Sequence, residues 1–164
     1  MSDTAFLWIS HRKKTVKQAL LVQLANALEA AKQAAKNAHL AAIDDQSVAE
    51  TQYDTLAIEA SYLAEGHSRR VNELSLAMSQ VSNLIIEPHH TIAMASLIQL
   101  ASQEHHYFIS PAGGGLTIKA DNQTTIIITP SSPIGAALMG KEEGDEVIVS
   151  IGENNMHDEI ISIV

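Results

Sequence analysis

The sequence predicts an α+β protein, in which an N-terminal antiparallel helical hairpin, a coiled coil, over residues 1–82 precedes a small antiparallel sheet domain with one short helix over residues 83–164. The first observation behind this is compositional. Of 164 residues, 46% are apolar and only 4% aromatic. Residues 1–82 hold 16 of the 23 alanines, one glycine and no proline, whereas residues 83–164 hold 15 of the 18 isoleucines, seven of the eight glycines and all four prolines. Alanine without proline favours helix, and isoleucine punctuated by glycine and proline favours short strands. The second observation is spacing, which changes from helical steps to short apolar runs at the same place.

Val16, Leu20, Leu24, Ala27, Ala31, Ala34, Ala38 and Ala41 recur at steps of three or four, one stripe along a long first helix. A break is expected at Ile43-Asp44-Asp45-Gln46-Ser47, where Asp and Ser can bond local backbone and cap a new helix. The stripe resumes at Ala49, Tyr53, Leu56, Ala60, Leu63, His67, Val71, Leu74, Met78 and Val81. Two arms of similar length about a short polar break make a hairpin with its tip near residues 43–50, each arm roughly 45 Å long. Leu20, Leu24, Leu74 and Met78 place the bulkier packing at the end remote from the tip.

Asn83–Pro88 reads as the linker out of the second helix. Strands are expected at Ser96–Leu100, Tyr107–Ser110, Leu116–Lys119, Thr124–Thr129, Glu146–Ile151 and Glu159–Val164, with turns at Pro111–Gly115, Asp121–Gln123 and Gly152–Asn155. Ser131–Gly140 has the pattern of a short helix: a serine cap, proline in the first turn and glycine just past the end.

Several function classes fall away on composition. Without cysteine there is no disulfide scaffold, thiolate zinc site, iron–sulfur cluster or thiol nucleophile, and a reducing cytoplasm is the expected location. No apolar run reaches the length of a membrane span, and Ala5–Ile9 precedes its basic cluster rather than following it as a signal core would. The net charge is −9, of which residues 83–164 carry −8; that sign opposes non-specific nucleic-acid binding but leaves a nucleic-acid enzyme as a partner, and no sequence-specific DNA binding is expected.

The run from Ser132 through Val147, Ser-Pro-Ile-Gly-Ala-Ala-Leu-Met-Gly-Lys-Glu-Glu-Gly-Asp-Glu-Val, closely resembles the C-terminal signature of the GreA/GreB transcription elongation factors. Ser132, Pro133, Ile134, Gly140, Lys141, Gly144 and Asp145 carry it, as structural residues. The resemblance implies an FKBP-like C-terminal domain behind the coiled coil and a probe of bacterial RNA polymerase through its secondary channel. It also implies an accessory role rather than an enzyme's. Tip carboxylates would help hold a magnesium ion shared with the polymerase active site, no cofactor being bound alone, while the polymerase cleaves backtracked RNA. The nascent RNA 3′ end is thus an indirect partner, no membrane is involved, and the factor is expected to be a monomer.

On this chain the implied catalytic acids are Asp45 and Glu50, with Asp44, Ser47, Tyr53 and Asp54 as further tip contacts. Their pattern departs from the family's, whose acids lie three apart and so share a helix face; here they lie five apart. Counting back from Tyr53, the family's acidic positions fall on Gln46 and Ala49. A non-cleaving regulator in the same channel, or an interaction protein reusing the fold, therefore stands beside cleavage stimulation. Lys32, Lys36, Arg69 and Arg70 are the candidates for RNA or polymerase contact, against ordinary surface charge on a helix.

Other features read as structure. Adjacent histidines, His89-His90 and His105-His106, point apart on a strand and lack thiolate partners, so no metal is expected on the chain itself. Gly113–Gly115 precedes no Lys-Ser/Thr helix and reads as a tight turn, and His67 as a packed stripe residue. Prolyl isomerisation needs an aromatic-lined pocket, and residues 83–164 offer only the neighbours Tyr107 and Phe108.

Overall fold

A computed structural model describes residues 3–48, 55–151 and 154–164. Two long helices, α1 (Asp3–Val48) and α2 (Thr55–Ser82), precede six strands and a short helix. These are β1 (Leu97–Leu100), β2 (His106–Ile109), β3 (Thr117–Ala120), β4 (Gln123–Ile128), α3 (Pro133–Leu138), β5 (Glu146–Ile151) and β6 (Asn154–Ile163). The composition change lies at the end of α2, but the compact units divide elsewhere: residues Met1–Val22 with Ser79–Val164, and Gln23–Met78. Among the described residues no helix is long and apolar enough to cross a membrane.

The helical stripe is realised unevenly. Within Gln23–Met78, Leu24 and Leu74 are buried, while Ala31, Ala34, Ala38, His67 and Val71 are partly covered. Leu63, expected on the stripe, is exposed, as are Leu40, Ile58 and Tyr62. A methyl side chain covers little neighbouring surface, so burial declines along the alanine-rich stretch. The expected break at 43–47 is absent: α1 runs on through Asp44, Asp45 and Ser47 to Val48. Asp and Ser cost an established helix only about 0.5 kcal/mol each, too little to end a helix built on alanine.

The sheet has the order β3-β4-β2-β1-β6-β5. It is antiparallel except at β2 and β4, which pair in parallel from His106↔Thr125 to Ile109↔Ile128. The sheet is thus mostly antiparallel, as expected, with one parallel pair. β3 is the antiparallel hairpin partner of β4, and the connection over residues 110–116 that leads from β2 into β3 is long enough to leave β2 on the other side of β4, running in the same direction. β6 begins at Asn154, five residues earlier than expected; its first part, to Glu159, pairs with β5 and the rest with β1.

Alternation along the strands gives two buried faces. Ile98, Tyr107, Ile109, Ile128, Val147, Val149 and Ile160 form a core with Leu138 of α3. Their neighbours Leu97, Phe108 and Ile127 are fully buried on the other face. Tyr107 and Phe108 thus serve opposite faces, and no aromatic-lined pocket forms between them. The N-terminal part of α1 reaches this domain at Gly113, where a side chain would meet Leu20 at 2.9 Å, and through a hydrogen bond from Arg12 to Gln123. Gly113 and Gly115 take φ of 80° and 86°, so the glycine run is a turn as expected.

Candidate functional site

The signature segment is a chain of backbone locks. The Ser132 hydroxyl donates to the Thr129 carbonyl at 2.7 Å and accepts from Gly135 N–H at 3.1 Å, capping α3, with Pro133 at its first turn. Ile134 packs against the core. Past the helix, Gly140 takes φ 79° and donates to the Ile92 carbonyl, while Ile92 N–H donates back to Lys141 at 2.8 Å. This ties the segment after the linker to the end of α3.

The acidic turn closes in the same way. The Asp145 carboxylate accepts from Glu142 N–H at 2.8 Å, and Gly144 at φ 88° donates to the Ile160 carbonyl. Glu143 reaches across to accept from Ile163 N–H at 2.7 Å. Two of the signature acids therefore bond local backbone and the last strand. Burial alone would raise the Asp158 carboxyl on β6, but hydrogen bonds from Ser102 and Glu159 hold it below the usual range.

A second set of contacts lies where α1 meets the linker, and the sequence analysis missed it. Lys13 is 1% exposed, and its ammonium donates to the Glu87 carbonyl at 2.6 Å. Burial pushes it down to about 8. One turn on, Lys17 donates to the carbonyls of Ser82 and Leu84, each at 2.8 Å, capping a helix whose own last turn has no basic residue. The available signal was Lys13's position three residues before Val16, a charged residue on the apolar stripe. Burial also lowers His89 and His106, with Lys13 and Arg12 respectively adding to the effect.

The remaining candidates are distributed as follows. Asp44, Asp45 and Ser47 lie in the last turns of α1, while Glu50, Tyr53 and Asp54 lie outside the described residues. Lys32 and Lys36 are exposed one turn apart on α1. Arg69 and Arg70 are exposed on α2 but face Glu65 at 3.2 Å and Glu73 at 3.3 Å. The structure therefore does not gather the four cations into one unopposed patch. Among the described residues no group of histidine, aspartate and glutamate could hold a metal ion.

Residues 100–164, which contain the whole signature segment, match the family described as transcription elongation factor GreA/GreB, C-terminal. This part of the chain is similar to the C-terminal domain of GreA/GreB factors. Over 97 residues the chain is 32% identical to the transcription elongation factor GreA of Helicobacter hepaticus, covering 57% of this chain and 58% of that protein. The chain thus spans well under two thirds of the curated GreA it matches. Among solved structures, GreA factor homolog 1 of Thermus thermophilus is 19% identical with a TM-score of 0.39, over 89% of this chain and 95% of that one. A GreA/GreB factor from Nitrosomonas europaea is 16% identical with a TM-score of 0.33, over 55% and 78%. At these values the structural likenesses assign neither activity nor partner.

Proposed function

We propose that this protein is a Gre-like accessory factor that binds bacterial RNA polymerase through its secondary channel, leaving the bond-breaking chemistry to the polymerase. The observation that carries the reading is the GreA/GreB C-terminal domain at residues 100–164, preceded by two long proline-free helices. A protein whose globular half carries −8 is poorly suited to hold nucleic acid directly. It is better suited to act through the enzyme that holds the nucleic acid.

Cleavage stimulation would run through the tip. Mg²⁺ takes one or two protein carboxylates and completes its octahedron with water and phosphate, so Asp45 and Glu50 could complete a site otherwise built by the polymerase. Asp44, Ser47, Tyr53 and Asp54 would line the same tip, and Lys32 and Lys36 would face the extruded RNA. The five-residue spacing of the two acids favours the second reading, a channel-bound regulator that does not promote cleavage.

A stalled, backtracked polymerase separates the two. If the protein stimulates cleavage, transcripts shorten on its addition, and Asp45→Ala and Glu50→Ala each abolish shortening while binding persists. Shortening that survives both substitutions refutes the tip assignment. No shortening by a protein that still displaces GreA establishes the regulator.

A further inference from the structure

The sheet has two open edges, β3 and β5, and they differ. β3 is four residues long and carries exposed Lys119, a common guard against strand addition. β5 is six residues long, pairs with β6 in unbroken register, and contains no lysine, proline or bulge. Ile160 N–H donates to the Asp145 carbonyl, which sets the phase of that ladder. Alternation then turns Val147 and Val149 toward β6 and leaves the N–H and C=O groups of Glu146, Ile148 and Ser150 facing outward.

The side chains of the same three residues stand on the uncovered face. Val147 and Val149 fill the core, whereas Ile148 is 62% exposed. Glu146 and Glu159 lie directly opposite one another beside it, Glu146 also 3.3 Å from the exposed imidazole of His157, with exposed Glu142 and Asp145 nearby. An apolar contact, a row of free backbone groups and a concentrated negative field coincide on one strand.

We propose that the β5 edge receives an extended, lysine- or arginine-bearing segment of a partner protein, which adds to the sheet as a further strand. Backbone pairing would supply affinity, Ile148 an apolar contact, and the flanking carboxylates a preference for basic side chains at alternate positions. A second copy of this chain fits poorly, since it would set Glu146 against the same acidic edge. Nucleic acid is excluded by the sign of the field. The inference stands apart from the polymerase reading and survives its failure.

The test uses the full chain and an acetylated, amidated Lys-Val-Lys-Val-Lys-Val-Lys peptide, with its glutamate counterpart as control. At saturation, hydrogen exchange at the amides of Glu146, Ile148 and Ser150 should slow at least tenfold while β3 amides are unchanged. Ile148→Pro, which removes an outward N–H and no β6 bond, should weaken binding at least tenfold, and so should Glu146→Lys. Binding that protects no β5 amide overturns the proposal, as does equal affinity for Glu146→Lys, which tests it even where the proline variant fails to fold. Equal binding of the glutamate peptide overturns the stated partner chemistry.

Discussion

Gly135 shows what one position in the signature is for. A side chain built there would place its Cβ 1.9 Å from the Thr129 carbonyl oxygen, the atom that also accepts from the Ser132 hydroxyl. The cap and the close helix–strand approach therefore require the same missing atom. Gly135→Ala should cost about 2–3 kcal/mol by urea unfolding, because backbone cannot step aside as a flexible side chain can. A loss near zero would mean that α3 shifts freely. Lys13 makes a different point: its proton is cheaper to lose when folded than unfolded. From about 8 up to its ordinary 10.5, the unfolded chain holds more protons, so stability should rise with pH across that window. Relative to Lys13→Met, the wild type should gain stability between pH 8 and 10.5, followed by urea unfolding at stepped pH. A flat difference would show that the ammonium stays solvated.

Among the elements, the sheet and its short helix were the most legible. Glycine, proline and serine fixed the ends of α3, and isoleucine runs placed each strand within a residue or two, except the start of β6. The parallel β2–β4 pair was not legible, since alternation in a strand reports which face is buried and says nothing of its neighbour's direction. The helix break was misplaced because cap residues were read as a stop where the helix simply continues. The end of α2 is held by a residue from α1: Lys17 on two carbonyls, a long-range cap that no local pattern announces. Lys17→Met should destabilise the protein by about 1–3 kcal/mol in urea, the range for hydrogen bonds from a charged donor. An unchanged midpoint would assign the linker's position to apolar packing alone.

At the scale of the whole molecule, charge and chemistry are divided between different parts of the sequence. The Ser132–Asp145 segment is a set of structural locks whose donors and acceptors are largely spent on backbone, so it builds the domain without forming a reactive site. That much was readable from Ser132 to Asp145, because caps and positive-φ turns leave fixed residues at fixed offsets. The candidate site was less legible. Exposed acids and cations on a helix look alike whether or not they have a ligand, and Arg69 and Arg70 proved to face acids on their own helix. The proposed action on RNA polymerase is open to a direct competition measurement. Fluorescently labelled GreA is bound to core polymerase and unlabelled protein is titrated in. Full displacement of GreA is expected; an undiminished signal at a large excess of a folded protein would rule out binding at the same site.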